Sequence, residues 1–267
     1  MQNSELPLIR TLLALALMST AAQACEGQDA CQLGDRSYHL LAPQDWDGTT
    51  PLPVQLHFHG WGRQGTLIVK HSRIAGAASP RGVLLLAPNG LGKTWDFWGP
   101  GSRDTDFAAA VIEDAAKRYP IDRENIFVSG YSYGSAMAWR YACENGSEVR
   151  AMLAVSGTLN QSEECETAPQ EVRHVHGLKD TVLDFPLGPG GDTTYPVALW
   201  RDHMGCGDVS ETAQYSTTEK DHFDRSVWAC DGGKVVLDVH PRGHFIPRGW
   251  FAKQLDELLM TSTGSPS

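Results

Sequence analysis

The fold is decided by residues 126–142, which read IFVSGYSYGSAMAWRYA. Ile126–Ser129 is a short β-prone run and Ala136–Ala142 is compatible with a helix, so the pentapeptide GYSYG joins a strand to a helix. A G-x-S-x-G sequence in that setting is typical of a sharp turn that lifts a nucleophilic serine, here Ser132, clear of the sheet. The two glycines are needed because strand and helix pass too close there for side chains. The segment therefore predicts a catalytic serine rather than an ordinary glycine-rich turn.

A serine hydroxyl needs a base, and the base needs an acid that holds its tautomer. In proteins built around this turn, the acid follows the serine along the chain and the histidine comes last. Asp180 follows the predicted strand Glu171–His176, and His244 follows the predicted strand Lys234–Val239. Both residues lie beyond the carboxyl ends of strands, where open α/β sheets place their active sites. We therefore predict a triad of Ser132, Asp180 and His244.

Each partner of the serine has a competitor. Asp184 is an alternative acid, but it lies further from the strand end than Asp180. His240 is an alternative base, but it stands at the strand end immediately before a proline. We favour Asp180 and His244 over these two.

An oxyanion hole needs two backbone N–H groups aimed at the oxygen on which negative charge develops. Tyr133, the residue after the serine, is expected to supply one of them, and the loop after an earlier strand supplies the other. The sequence HFHGW at residues 57–61 fits that loop, because Gly60 lets the backbone turn close to the substrate. We predict the amide of Trp61 as the second donor.

Two histidines of the same segment, His57 and His59, share one strand face and could in principle bind a metal. No nearby cysteine or carboxylate completes a ligand set. We therefore expect no metal, and a hydrogen-bonded His59 that braces the loop.

Aromatic residues cluster after the predicted strand Gly82–Ala87, on the same side of the sheet as the triad. They are Trp95, Phe97 and Trp98. Together with Trp61 they suggest a substrate with a planar or apolar acyl group, and we predict that they bind it. The alternative, given equal weight, is that most of them pack the loop against the fold.

The N-terminal segment has the features of an export signal. An apolar run at residues 12–18 precedes the small-x-small sequence AQA, which ends at Ala24. This predicts a secretory signal peptide over residues 1–24, too short to cross a membrane. Cleavage there leaves Cys25 first and raises a lipoprotein as an alternative, but Ala22 stands where a lipoprotein has leucine. We expect a secreted or periplasmic protein.

Removing 24 of the 267 residues leaves 243, enough for one α/β domain with a large core. We predict a catalytic domain at residues 25–260 and a disordered polar tail at residues 261–267. The net charge of −10, without Lys/Arg clusters, disfavours nucleic acids and anionic membranes as partners.

All six cysteines follow the predicted cleavage site, and an even number in an exported chain implies disulfides. None stands in a C-x-x-C or zinc-like spacing, so we expect three structural bridges. Proximity in the sequence suggests the pairs Cys25–Cys31, Cys143–Cys165 and Cys206–Cys230.

Strands and helices alternate along the chain. Further strands are predicted at Arg36–Leu41, Pro53–Phe58 and Met152–Ser156, and helices at Asp104–Tyr119 and Trp250–Met260. The alternation predicts an α/β fold with a doubly wound, mostly parallel sheet. Residues 200–230 are the least regular part, and we interpret them as a disulfide-held insertion beside the active site.

The motifs resemble those of a known family, the secreted esterases grouped with poly(3-hydroxybutyrate) depolymerases and feruloyl esterases. The matching pieces are residues 57–61, 121–134, 176–180 and 243–247. The resemblance covers roughly Tyr38 to Trp250. It implies an α/β-hydrolase fold, hydrolysis of carboxylic esters without a cofactor, and Ser132, Asp180 and His244 as the triad.

The resemblance leaves the substrate open. Depolymerases that attack polymer granules usually carry a linker and a substrate-binding domain, and neither is evident in this sequence. We expect a serine carboxylesterase acting on a small-molecule or oligomeric ester, of the feruloyl or hydroxybutyrate-oligomer type. The alternatives are a carbohydrate acetylesterase or a serine peptidase on the same fold, or a catalytically silent binding protein.

Overall fold

A computed structural model describes residues 25–262. The predicted signal peptide and the last five residues of the predicted tail lie outside the described residues. The final helix runs to Ser262, so residues 261 and 262 belong to it rather than to a tail.

Within the described part of the chain, ten strands form one sheet in the order β1-β2-β4-β3-β5-β6-β7-β10-β9-β8. The strands are β1 (Cys31–Leu33), β2 (Arg36–Leu41), β3 (Leu52–Phe58), β4 (Leu84–Pro88), β5 (Ile121–Tyr131), β6 (Ala151–Val155), β7 (Glu171–Gly177), β8 (Val209–Thr218), β9 (Asp221–Cys230) and β10 (Gly233–His240). The central strands from β4 to β10 run parallel, and the strands at both edges pair antiparallel. Helices cover both faces, so the predicted doubly wound α/β sheet is confirmed.

The helices are α1 (Gly65–Ile68), α2 (Ala75–Ala78), α3 (Arg103–Ala116), α4 (Tyr133–Asn145), α5 (Ala198–His203) and α6 (Trp250–Ser262). Helix α3 begins after Ser102, whose hydroxyl accepts a hydrogen bond from the Thr105 amide, and carries two aspartates in its first turn. Helices α3 and α4 bury their apolar stripes in the core on one face of the sheet. Helices α2 and α6 do so on the other face.

The segment 200–230 is more regular than predicted. It contains β8 and β9, an antiparallel hairpin that extends the sheet beyond β10. The prediction of an irregular insertion was wrong because β8 is an edge strand exposed along most of its length, so its sequence lacks apolar alternation.

The three predicted disulfides are confirmed as Cys25–Cys31, Cys143–Cys165 and Cys206–Cys230. The second ties the last turn of α4 to the loop before β7, and the third closes the base of the β8–β9 hairpin. Among residues 25–262, no helix combines the length and the apolar character that crossing a bilayer requires.

Candidate active site

The turn between β5 and α4 has the predicted strained geometry. Ser132 lies between the two elements with φ 59° and ψ −126°, a conformation that non-glycine residues rarely adopt. Such a residue costs about 1–3 kcal/mol and persists only where its surroundings impose it. Here the Ser132 amide donates to the Val155 carbonyl oxygen at 2.9 Å, which ties the turn to β6.

The glycines of the pentapeptide are required by close backbone approach. A Cβ atom at Gly130 would lie 1.9 Å from the carbonyl oxygen of Gly134. A Cβ atom at Gly134 would lie 2.0 Å from the carbonyl oxygen of Phe58, at the end of β3. Any side chain would therefore push the helix away from the strands that carry the turn.

The predicted acid and base meet at the ends of neighbouring strands. Asp180 follows β7, His244 follows β10, and these two strands pair in parallel. The His244 Nδ1–H donates to Asp180 Oδ2 at 2.6 Å. The other carboxylate oxygen, Oδ1, accepts the amides of Val182 and Leu183 at 2.9 and 3.1 Å. The aspartate is thus held in place by its own loop.

The electrostatics of Asp180 favour its ionised form. Burial by itself raises the pKa of this carboxyl, but hydrogen bonds from His176, from His244 and from the Val182 amide outweigh burial and lower the pKa below its usual value. Asp180 is therefore an anion at neutral pH, able to orient His244 and to stabilise a positive charge on its ring.

Ser132 and His244 open onto one cavity of about 1090 Å³. No hydrogen bond joins the serine hydroxyl to the histidine in this structure. Contacts of this kind in enzymes often tighten only when substrate binds, so the shared cavity is the relevant relationship.

Tyr131 holds the His244 ring from beneath. The two rings lie 4.8 Å apart between centroids, and the Tyr131 hydroxyl donates to the His244 carbonyl oxygen at 3.2 Å. Burial and the negative charge of Asp180 raise the pKa of Tyr131 to about 12, so the hydroxyl stays protonated and remains a donor. Sequence reasoning missed this role, although Tyr131 stands inside the G-x-S-x-G motif.

A second histidine contacts the predicted acid. His176 Nε2 lies 3.2 Å from Asp180 Oδ2 and 3.2 Å from the Leu183 carbonyl oxygen. Its Nδ1 lies 3.2 Å from Nε2 of His174, which is buried on the same strand. The alternation of these two histidines at the end of β7 is the sequence signal for this contact.

The structure disfavours both alternatives to the predicted acid and base. Asp184 is exposed and does not line the cavity. His240 is buried outside the cavity, where its Nδ1 accepts the Arg242 amide at 3.3 Å. Burial lowers the pKa of His240 to about 4, so it is neutral and engaged elsewhere.

The predicted oxyanion loop lies against the serine. A Cβ atom at Gly60 would lie 3.6 Å from the Cβ atom of Ser132, so the loop backbone passes directly beside it. Trp61 and Tyr133 both line the cavity. Neither amide has a hydrogen-bond acceptor among residues 25–262. Two backbone donors are therefore available next to the serine.

His59 braces this loop, as predicted. Its Nε2 accepts the Gly90 amide at 3.0 Å, which leaves the proton on Nδ1 to be donated to the Gly60 carbonyl oxygen at 2.9 Å. Burial lowers the pKa of His59 to about 4, so the ring is neutral and keeps this tautomer. The Trp95 indole N–H donates to the His59 carbonyl oxygen at 2.7 Å.

The prediction that Trp95 and Phe97 bind substrate was wrong. Trp95 is only 2% exposed and packs edge-on against Phe58, with its centroid 5.1 Å away. Phe97 is 7% exposed and meets the Tyr133 ring at 5.2 Å. Both support the loops behind the serine instead of lining the cavity, because their rings complete the core on that face.

The other two predicted aromatic contacts are exposed. Trp61 is 69% exposed and lines the cavity. Trp98 is 71% exposed and stacks on Phe97, with its centroid 6.3 Å from that of Tyr133, but it does not line the cavity. Substrate contact by either residue stays a prediction.

His57 has a structural partner. Its Nδ1 lies 2.9 Å from the Ser129 hydroxyl, and burial lowers its pKa to about 3. Among the described residues, no group of three or more His, Cys, Asp or Glu side chains is arranged to hold a metal ion.

Related sequences include proteins named as feruloyl and acetylxylan esterases. A probable feruloyl esterase C of Aspergillus niger is 26% identical over 219 residues, which cover 76% of this chain and 77% of that protein. A bifunctional acetylxylan esterase/xylanase of Neocallimastix patriciarum is 26% identical over 215 residues, 78% of this chain. The chain spans only 31% of that longer protein, and 59% of feruloyl esterase C of Emericella nidulans.

The family described as phospholipase/carboxylesterase matches residues 104–200, which include the serine turn and Asp180. Solved structures share the fold at low identity. An acetyl xylan esterase from Aspergillus awamori aligns with a TM-score of 0.64 at 16% identity, covering 84% of this chain and 94% of that one. A Bacillus cereus carboxylesterase aligns with a TM-score of 0.54 at 14% identity, covering 85% and 95%. The chain therefore has an α/β-hydrolase fold, matches the phospholipase/carboxylesterase family over residues 104–200, and is similar in sequence to feruloyl and acetylxylan esterases.

Proposed function

We propose that the protein is an exported serine esterase that cleaves carboxylic esters through Ser132, His244 and Asp180. The observation that carries this proposal is the strained Ser132, which shares a cavity with a histidine already bound to a carboxylate. Folding alone does not require that combination, because strain at a non-glycine residue costs stability.

In the first half of the reaction, the Ser132 hydroxyl attacks the ester carbonyl carbon. The proton passes to Nε2 of His244, since Nδ1 already carries the proton donated to Asp180. The lowered pKa of Asp180 keeps it ionised while the imidazolium forms beside it. The amides of Trp61 and Tyr133 stabilise the tetrahedral oxyanion.

His244 then gives its proton to the departing alcohol, which leaves an acyl group on Ser132. In the second half, His244 takes a proton from water, and the resulting hydroxide attacks the acyl carbon. Collapse of the second tetrahedral intermediate returns the proton to Ser132 and releases the acid. No cofactor enters either half of this scheme.

We propose esters with a bulky acyl group, of the feruloyl or hydroxybutyrate-oligomer type, as the substrates. The volume of the cavity, about 1090 Å³, is slightly above the roughly 300–1,000 Å³ usual for ligand sites and is much larger than an acetyl group requires. Its apolar lining includes Ile68, Phe245 and Ile246, and the exposed Trp61 ring stands beside them. The relatives named feruloyl esterase C support the same class.

A second candidate is the removal of acetyl groups from a polysaccharide. It is favoured by the likeness to acetyl xylan esterases in both sequence and structure. An open cavity of this size could admit a sugar chain as the alcohol part of the ester.

Export is supported by the three disulfides, which form and persist in oxidising compartments. The predicted signal peptide at residues 1–24 is part of this proposal. Amino-terminal sequencing of the exported protein tests it, with Cys25 expected as the first residue.

A substrate panel tests the proposed activity. Methyl ferulate, a short hydroxybutyrate oligomer, acetylated xylan and an aminoacyl anilide are offered to the purified protein, and a fluorophosphonate probe is added in parallel. We expect labelling at Ser132 and turnover of the ferulate or the oligomer. Turnover of acetylated xylan alone would select the second candidate. Turnover of the anilide alone would favour a peptidase, and silence with Ser132 unlabelled would favour a binding protein.

A further inference from the structure

One wall of the active-site cavity is positively charged. It is formed by residues 63–73, which bring Arg63, Lys70 and Arg73 to the cavity that Ser132 opens. Among residues 25–262, no aspartate or glutamate lines this cavity. The chain as a whole carries 32 acidic and 22 basic residues, so the charge of this wall is opposite in sign to the net charge of the protein. We call these three residues the cationic wall.

The cationic wall is not neutralised by the protein. Within residues 25–262, no carboxylate forms an ion pair with any of the three side chains, whereas the buried Arg173 and the partly buried Arg225 are paired. Lys70 Nζ donates to the Gln28 side-chain oxygen at 2.6 Å, and Arg73 donates to the Ile246 carbonyl oxygen. These partners are neutral acceptors, so they leave the positive charges uncompensated.

The wall lies close to the catalytic groups. Arg73 is half-buried, and its partner Ile246 stands two residues after His244. Arg63 follows Trp61 by two residues, and its charge acts on the Tyr131 hydroxyl beneath the His244 ring. A substrate held at Ser132 would therefore meet the cationic wall on one side and the apolar residues Phe245 and Ile246 nearby.

We propose that the cationic wall binds a carboxylate carried by the ester, so that the enzyme prefers anionic over neutral esters. Guanidinium groups match carboxylates in geometry and charge, and cations without a carboxylate partner in the protein can pair with an anion that enters the cavity. The carboxylate belongs either to the acyl part, as in a dicarboxylic monoester, or to the alcohol part, as in an acidic sugar or aromatic acid. The inference rests on the proposed function, because it concerns the selectivity of the same site.

Two pairs of synthetic esters separate these sources. The acyl pair is the mono-p-nitrophenyl ester of adipic acid against p-nitrophenyl hexanoate. The alcohol pair is p-carboxyphenyl butyrate against p-carbamoylphenyl butyrate. For each pair the readout is the ratio of kcat/KM, anionic over neutral, corrected for spontaneous hydrolysis. We expect a ratio of about tenfold in one pair at low ionic strength, decreasing as salt screens the charges.

Variants of the three basic residues test whether the cationic wall causes the preference for anionic esters. Arg63→Gln, Lys70→Gln and Arg73→Gln are each expected to lower it about twofold to fivefold, the range of a single partly exposed charge pair. Arg73→Lys keeps the charge and should retain most of the ratio even if the contact with Ile246 is disturbed. Lys117→Gln changes an exposed cation that follows the end of α3 and does not line the cavity; it is the control and should leave the ratio unchanged. Because both esters meet the same enzyme sample, a loss of folded protein cancels from the ratio.

The two proposals fail in different ways. If the neutral esters are hydrolysed but the ratio of kcat/KM, anionic over neutral, is one or less in both pairs, the proposed anion site is wrong. The proposed esterase function is then still supported. Equal ratios in wild type and the triple Gln variant would also overturn the anion site. No hydrolysis of any ester, with Ser132 unlabelled, would overturn both.

Discussion

Nδ1 of His244 and Oδ2 of Asp180 lie 2.6 Å apart, although 64 positions separate the two residues in the chain. The sheet brings them together, since β7 and β10 are parallel neighbours paired from Lys234 opposite Glu171 to His240 opposite Gly177. A slip of one residue in that register would turn alternate side chains to the other face. The pairing of the two strands therefore brings the predicted acid and base together, and the loops that follow the strands complete their contact.

Ser132→Ala is expected to reduce kcat at least about ten-thousand-fold, because the other groups of the proposed site retain only the catalysis of binding and oxyanion stabilisation. The variant should fold, since the hydroxyl makes no hydrogen bond that the fold depends on. Steady-state kinetics and thermal unfolding check the two parts. Ser135→Ala is the matched control in the same segment. It loses a hydrogen bond to the Gly157 carbonyl oxygen and should cost about 1 kcal/mol of stability while keeping turnover.

Stability should decrease on acidification through His59. Its folded pKa of about 4 is below the unfolded value of about 6.5, so the unfolded chain binds a proton that the folded chain excludes in between. The contribution is fully present above about pH 6.5 and is lost as pH decreases to about 4, a change of about 3 kcal/mol.

Urea unfolding at a series of pH values measures this change. His59→Gln, which cannot titrate, should flatten the dependence between pH 6.5 and 4 by about 1.4 kcal/mol per pH unit. An unchanged slope would show that His59 is not the titrating group.

Trp95→Phe separates a supporting role from substrate binding. The change removes the indole N–H that the His59 carbonyl oxygen accepts, so a buried acceptor loses its partner and stability decreases by about 1–3 kcal/mol. We expect kcat to decrease because the oxyanion loop loosens, with similar losses on aromatic and aliphatic esters. Trp98→Ala, at an exposed position, should leave the unfolding temperature nearly unchanged. A selective rise in KM for aromatic esters in Trp95→Phe would restore the original prediction.

His176→Phe tests whether this histidine positions the acid. It keeps a ring of similar volume but removes the hydrogen bond to Asp180, the largest of the contacts that lower the pKa of that carboxyl. We expect the Asp180 pKa, followed by NMR of a labelled carboxyl carbon, to rise, and kcat to decrease about tenfold. A decrease in stability with the Asp180 pKa unchanged would assign His176 to packing alone.

Much of the fold followed from local signals. The strand–turn–helix around Ser132 has a fixed glycine pattern, and β2 spans Arg36–Leu41 as predicted. Candidates for the acid and base could be chosen because they follow apolar runs that end at one edge of a parallel sheet. The disulfides followed from proximity, since the intervening segments are short.

The parts that sequence reasoning missed depend on packing at long range. Tyr131 and His176 contact the predicted triad only because strands distant in sequence become neighbours. Trp95 was predicted to contact substrate because the sequence indicates on which side of the sheet it lies. The sequence does not indicate the direction in which its ring points. The edge strand β8 was missed because a strand that buries few side chains carries no apolar pattern.

The disulfide between Cys206 and Cys230 brings their Cα atoms to 3.9 Å, about the length of one peptide step. The β8–β9 hairpin between them thus begins and ends at nearly the same point, while β9 pairs with β10 in the sheet. The bridge closes the hairpin into a covalent ring whose inner strand, β9, belongs to the sheet and whose outer strand, β8, forms its edge. The ends of the hairpin are adjacent and its outer strand is exposed. An insertion, or an inserted domain, is therefore tolerated there without a change in the path of the strands that carry Asp180 and His244.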